Sequence, residues 1–317
     1  MDGGGAKLDW VERYLAGLAS GRQLSPLTIG AYRRDLRELA TLAGAAGWDA
    51  LGHFEIRRFT ARLHAQGLGP RSIARKLSSW RGFFGWLALE RGLASNPVEG
   101  VRAPRRAKTL PKALSVDDAV RLVGGGAHAP GHAEPPALCN RAMFELMYSS
   151  GLRVSELAGL DVHYAKAAGA APESLGWIDF DAAEVMVTGK GGKKRSVPVG
   201  SHALDALRAW LAVRPAPLAA AGNALFLSQR GSRMTPRVVQ LRMKTFARLA
   251  GTAVDVHPHV LRHSFASHVL QSSGDLRAVQ ELLGHASITS TQVYTALDFQ
   301  HLAAVYDKAH PRAKSRK

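Results

Sequence analysis

The clearest pattern along the chain is helical. From Pro70 the stretch "RSIARKLSSWRGFFGWLALERG" places Ile73, Leu77, Trp80, Phe84 and Leu87 three or four residues apart. That spacing predicts one buried stripe on a helix ending at Gly92, before Asn96-Pro97. Upstream, Ser25-Pro26 reads as an N-cap followed by proline at the first helical position, opening a helix that carries Leu27, Tyr32, Leu36 and Leu39. Farther on, "CNRAMFELMYSSG" predicts a helix closed by Gly151, and "VSELAGL" starts another. Between 177 and 199 the period shortens to two: "WIDF", "EVMVT" and "RSVPV", with turns at Asp181–Ala183 and Gly189–Lys194, predict a three-stranded β-meander. Helices then return. Leu261, Phe265 and Val269 share one face, Leu282-Leu283 ends a helix that Gly284 caps, and Ser287 can open the next. Asp298 can N-cap a last short helix bearing Phe299, Leu302, Val305 and Tyr306 before Pro311. A small apolar helix at a chain end has little core of its own to join, so this tail is expected to pack into a neighbouring protomer.

These elements predict a mainly α fold with a small antiparallel β-sheet, in two domains. Residues 1–101 form a helical N-terminal domain, and 113–317 an α+β domain. Between them, 102–112 is a basic linker, with Arg102, Arg105, Arg106, Lys108 and Lys112 punctuated by Pro104 and Pro111. Two stretches, 124–137 and 163–176, read as Ala/Gly/Pro-rich insertion loops without chemistry. His128 and His132 have a metal-like spacing there but no partner ligand.

Charge narrows the class. Lys and Arg number 42 against 25 Asp and Glu, a formal net charge of +17, which calls for a polyanionic partner. No apolar run approaches the ~20 residues that span a bilayer, and the start "MDGGGAKLDW" lacks a secretory apolar region. Cys139, the single cysteine, rules out an internal disulfide and a cysteine metal site. A cytoplasmic nucleic-acid-binding protein without membrane insertion is the class that fits. Off the apolar stripe of the 70–91 helix, Arg71, Arg75 and Lys76 form a cationic surface suited to phosphates, with Arg105 and Arg106 of the linker as further candidate DNA contacts. A solvated basic face is the competing reading.

Four local features carry candidate chemistry. In "SSGLRVSELAGL", Arg153 stands at a helix start, where free backbone N–H groups help hold a phosphate. An Arg153–Glu156 surface pair, or a helix-turn-helix over 142–160, would explain the same letters. In "TGKGGKKRSVP", glycines let a hairpin tip swing Lys190 inward, although the spacing is not that of a P-loop. In "VHPHVLRHSFASHVL", His259, Arg262 and His263 project together away from the apolar stripe, and the glutamate of a zinc-binding H-E-x-x-H is missing. In "ELLGHASITSTQVYT", His285 is exposed at a helix break and can converge with Tyr294.

The set Arg153, Lys190, His259, Arg262, His285 and Tyr294 contains no paired carboxylates, which argues against Mg²⁺-dependent nuclease chemistry. It suits phosphoryl transfer by charge stabilisation with a protein nucleophile. A phenol of pKa ≈ 10 is ionised about one part in a thousand at neutral pH, and neighbouring arginines favour its phenolate.

Those four motifs, in that order, resemble the tyrosine site-specific recombinases of the phage integrase family, and the resemblance covers essentially the whole chain. The tail "LDFQHLAAVYDKAHPRAK" is more similar to the XerC branch of bacterial chromosome-dimer resolvases than to the XerD branch. The resemblance implies a SAM-like core-binding domain followed by a tyrosine recombinase catalytic domain. It implies Tyr294 as nucleophile, Lys190 as general acid, Arg153 and Arg262 as the phosphate clamp, and His259 and His285 assisting. No metal or cofactor is implied. The implied partners are double-stranded DNA with a two-armed site, a XerD-like recombinase in a cyclic heterotetramer of two plus two, and a septal DNA translocase as activator. A phage- or integron-type integrase and a type IB topoisomerase share the chemistry, while a non-catalytic helix-turn-helix regulator would have no use for Tyr294. One departure from the family pattern is Ala296, where a histidine is common.

Overall fold

The computed structural model describes residues 3–21, 24–105, 113–124, 134–167, 173–189, 192–218, 221–252, 256–284 and 296–313, with the backbone alone at 3–6 and 296–301. Contacts divide the chain into two compact units, Met1–Thr109 and Leu110–Lys317.

The first unit is built from α1 (Gly3–Ser20), α2 (Pro26–Ala43), α3 (His53–Ala65) and α4 (Pro70–Arg91). Ser25 caps α2, its Oγ accepting the Thr28 N–H, and Pro26 follows at the start. Leu36 and Leu39 are buried as the pattern requires, but Leu27 in the first turn is exposed. All five stripe residues of α4 are buried, joined by Phe83, which meets Tyr14, Trp48 and Phe84 edge-on.

The cationic surface expected on α4 differs from the structure at Lys76. Its side chain is buried, and the ammonium pairs with Asp35 at 3.3 Å and with Glu38. Arg75 remains exposed but also pairs with the fully buried Asp35. The reason is that α2 supplies two carboxylates facing α4, so these cations neutralise a helix–helix seam. Arg71 is exposed, with no ion pair among the described residues. Arg105 is exposed at the end of the described stretch, and Arg106 lies outside the described residues.

The second unit holds α5 (Val116–Gly124), α6 (Pro135–Ser150), α7 (Val154–Ala158), strands β1 (Gly176–Asp179), β2 (Glu184–Thr188) and β3 (Lys194–Pro198), then α8 (Ser201–Val213), α9 (Pro236–Leu249), α10 (Pro258–Ser273), α11 (Leu276–Leu283) and α12 (Ala296–Ala309). The sheet runs β1-β2-β3, antiparallel, with Ile178 opposite Val185 and Val185 opposite Val197. α6 is buried from Ala142 to Ser150 without a polar face, because α5, α8, α9 and α10 surround it. The described ends of the 163–176 loop are tied down by Ser174, whose Oγ donates to Asp161 at 2.6 Å. His128 and His132 lie outside the described residues. Among the described residues no helix is long and apolar enough to cross a membrane.

The tail departs from expectation at its start. α12 begins at Ala296, so Asp298 sits inside its first turn instead of capping it. The helix packs on its own domain: Leu302, Tyr306, Ala309 and Ala313 join the core, beside α10, α11 and β3. Tyr306 and Ser149 share a 2.6 Å hydroxyl hydrogen bond, Ser201 N–H donates to the Ala313 carbonyl at 2.9 Å, and Arg312 pairs with buried Glu145. The receiving notch is made by the end of α6 and by Gly200, where a Cβ would lie 2.2 Å from the Arg312 carbonyl oxygen. Those residues lie over a hundred positions upstream of the tail, so its own apolar stripe could not reveal them.

Candidate active site

Three helix boundaries bring the cationic residues together. α6 ends at Gly151, whose φ of 55° turns the chain so that Arg153 becomes the N-cap of α7. Glu156 folds back to accept the Arg153 N–H at 2.8 Å, and the Arg153 side chain donates to the same carboxylate at 2.8 Å. The pair anticipated at this turn therefore exists. Its carboxylate, however, is buried, and Arg153 is only a third exposed. With five residues, three of them buried, α7 does not present the projecting recognition helix that a helix-turn-helix reading requires.

α10 contributes the next guanidinium. Pro258 opens the helix, His259 is exposed in its first turn with its ring 6.0 Å from that of His257, and Arg262 lies one turn farther in. His263 is exposed as well, but Arg262 is buried, so the three do not share one solvent face. Arg262 donates to the Gly151 carbonyl at 2.5 Å and to the Leu283 carbonyl at 2.6 Å. Burial first, then repulsion from Arg153, pulls its pKa down to about 10, still leaving it charged at neutral pH.

The residue that sequence reasoning missed is Arg195. It is buried on β3, and its two terminal nitrogens donate to the two Glu156 oxygens at 2.8 and 2.9 Å. The available signal was its register: Arg195 alternates inward with Val197 along a strand, an unusual place for a charge. Burial alone would raise the Glu156 carboxyl, but the hydrogen bonds and charge of Arg195, then of Arg153, hold it below its ordinary value of 4.5. Three guanidiniums thus surround one carboxylate, an excess of positive charge suited to an anion.

His268, also on α10, belongs to the core instead: its ring bonds the Tyr148 hydroxyl at 2.8 Å and the Leu114 carbonyl at 2.9 Å. Lys190, His285 and Tyr294 lie outside the described residues, which resume on either side at Gly189, Gly192, Gly284 and Ala296. The described residues contain no group of three metal-ligating side chains.

Comparison with known proteins accounts for both units. The phage integrase family pattern matches residues 127–301, and that of the phage integrase N-terminal SAM-like domain matches 11–91. The chain is 57% identical over 313 residues to "Tyrosine recombinase XerC 1" of Ralstonia nicotianae, covering 96% of this chain and 93% of that protein. It is 56% identical over 317 residues to "Tyrosine recombinase XerC" of Ralstonia pickettii, covering 96% and 94%. Its fold matches that of the XerH site-specific recombinase in a post-cleavage complex with palindromic difH substrate, with a TM-score of 0.69 at 18% identity over 96% of each chain. It also matches a lambda integrase tetramer bound to a Holliday junction, with a TM-score of 0.65 at 18% identity over 90% of this chain and 80% of that one. The chain belongs to the phage integrase family and is a tyrosine recombinase, an enzyme that cuts and rejoins DNA strands.

Proposed function

We propose that the cationic cluster around Glu156 holds the scissile phosphate and that Tyr294 attacks it. The observation that carries this reading is the excess of guanidinium over carboxylate where Arg153 and Arg262 meet the end of α11, immediately before His285 and ten residues before Tyr294 in the chain. The Tyr294 oxygen forms a bond to phosphorus as the bond to the 5′ oxygen breaks, leaving a 3′-phosphotyrosine. Lys190 gives its proton to the departing 5′-alkoxide. Arg153 and Arg262 offset the charge that builds on the non-bridging oxygens, with His259 and His285 adding hydrogen bonds. Because the phosphotyrosine conserves the phosphodiester energy, a 5′-hydroxyl from the partner strand reverses the step without ATP.

On this reading residues 1–101 act as the core-binding domain, 102–112 as the linker and 113–317 as the catalytic domain. The protein acts in the cytoplasm on a two-armed, dif-type DNA site. It works there with a XerD-like partner in a two-plus-two ring, passing through a Holliday junction to resolve chromosome and plasmid dimers during cell division, with a septal DNA translocase as activator. High identity to relatives named XerC supports this assignment over an integrase role. A nicked suicide substrate tests the chemistry. Wild type should accumulate a covalent protein–DNA adduct and Tyr294→Phe none; an adduct in the variant overturns the assignment of the nucleophile.

A further inference from the structure

Among the three guanidiniums, Arg195 is the one to which the chemistry above gives no work. It is also the most enclosed, and it makes contacts with both halves of the site. Its terminal nitrogens occupy both oxygens of Glu156, and its Nε donates to the Leu282 carbonyl at 3.2 Å. The last carbonyls of a helix have no partner within it. At the end of α11 the Gly284 N–H returns to the carbonyls of Gln280 and Glu281. The next three carbonyls are then taken by three different arginines: Leu282 by Arg195, Leu283 by Arg262 and Gly284 by Arg153, at 3.2, 2.6 and 3.2 Å. Gly284 is required where they converge. Its φ is 62°, and a Cβ there would lie 3.0 Å from Arg195 Cδ.

We propose that Arg195 is a positioning residue for strand cleavage, one that fixes Glu156 and the last turn of α11 so that Arg153, Arg262 and the chain entering residue 285 are held in register with the phosphate. This rests on the site reading above. Arginine suits the role because its planar fork spans both carboxylate oxygens and still has a donor for the Leu282 carbonyl, whereas a lysine ammonium cannot match that geometry. Without Arg195 the buried Glu156 would keep its two hydrogen bonds from Arg153 and the charge of Arg262 on α10, but would lose the guanidinium that does most to hold it ionised. Burial would then favour its protonated form, and a neutral Glu156 no longer orients Arg153.

The test uses the full-length protein on a nicked suicide substrate, comparing wild type with Arg195→Met and Arg195→Lys. The rate of adduct formation at saturating protein is followed over roughly pH 5–8, a span that brackets a raised carboxyl pKa, alongside DNA affinity and thermal melting. Arg195→Met should cleave about a hundredfold more slowly, the size of effect expected of a misplaced catalytic group, with little change in DNA affinity. Its rate should also climb with pH more steeply than the wild-type rate over that span. Arg195→Lys should keep part of the rate and lie between the two in pH profile. Wild-type rate and profile in a folded Arg195→Met would overturn the proposal. If that variant fails to fold, the same result in Arg195→Lys would overturn it. Tyr294→Phe separates the two levels of inference: an adduct there sinks the site reading itself, whereas no adduct there together with normal Arg195 variants sinks only the positioning role.

Discussion

Each unit of the protein buries a carboxylate between cations, and the two sites differ in their charge balance. Asp35 of the first unit is fully buried against Lys76 and Arg75, and Glu38 lies beside it, so two carboxylates meet two cations. Glu156 of the second unit alone faces Arg153, Arg195 and Arg262. A balanced buried network has settled its electrostatics within the fold and acts as a seam between helices. An unbalanced one keeps a net positive charge that only an incoming anion can neutralise. The tail notch resembles the first kind, with one arginine, Arg312, on one buried carboxylate, Glu145. Burial of a charge thus indicates function less well than the sum of charges around it.

The largest expected effect tests that contrast directly. Glu156→Gln leaves three guanidiniums without a carboxylate and should cost about 3–5 kcal/mol of unfolding free energy, as breaking a buried ion pair does. Inorganic phosphate should restore part of this loss, measured by urea denaturation. Asp35→Asn leaves Lys76 paired with Glu38, so its cost should be nearer 1–3 kcal/mol and insensitive to phosphate. Equal rescue of both variants would erase the distinction. Acid sharpens it. The folded-state pKa of Glu156 lies below 4.5, so its contribution to stability is complete at neutral pH and is lost as the pH falls below that value through the folded pKa.

A smaller effect is expected at the notch. His310 is buried against Tyr148, Phe265 and Tyr306, with Arg312, Glu145 and His268 as the nearby charged or titratable groups. Burial pushes its pKa down from 6.5 to about 3. Between those values the released tail binds the proton and the docked tail does not, so docking weakens as pH falls through 6.5. At pH 5 the loss is about 2 kcal/mol, or roughly thirtyfold more release. Hydrogen exchange across 302–313 should speed up accordingly, while α4 amides stay protected. Gly200→Ala, which intrudes on the Arg312 carbonyl, should release the tail at neutral pH as well.

Local patterns were legible where one element carried its own signal. The α4 stripe, the Ser25 cap, the meander and the Gly284 helix end could each be read from spacing alone. Arg153 and Arg262 could be recognised from their motifs as candidates for a shared site. Three things could not be read, all for the same reason. Lys76 is buried because α2 brings Asp35 and Glu38 to it, Arg195 because α7 brings Glu156, and the tail docks because α6 and Gly200 shape its notch. In each case the deciding partner lies tens to more than a hundred residues away, beyond the reach of helical or strand periodicity.

The smallest effect separates cations that fold the first unit from those free to meet DNA. Arg71 and Lys76 lie five residues apart on α4, yet Arg71 is exposed without an ion pair among the described residues while Lys76 is enclosed in the Asp35 seam. If Arg71 neutralises a backbone phosphate, Arg71→Ala should lower the slope of log affinity against log salt by about one and weaken binding uniformly across sequences. Lys76→Ala should leave that slope unchanged and lower the melting temperature instead, because its charge is already spent inside the fold. Arg75 falls between them, exposed yet paired, and its alanine variant should show a fraction of each effect. Equal salt slopes for Arg71→Ala and wild type would confine the protein's phosphate contacts to other cations. A reduced slope for Lys76→Ala would mean that the seam opens on DNA, and that charge balance in the free protein does not predict which cations it uses.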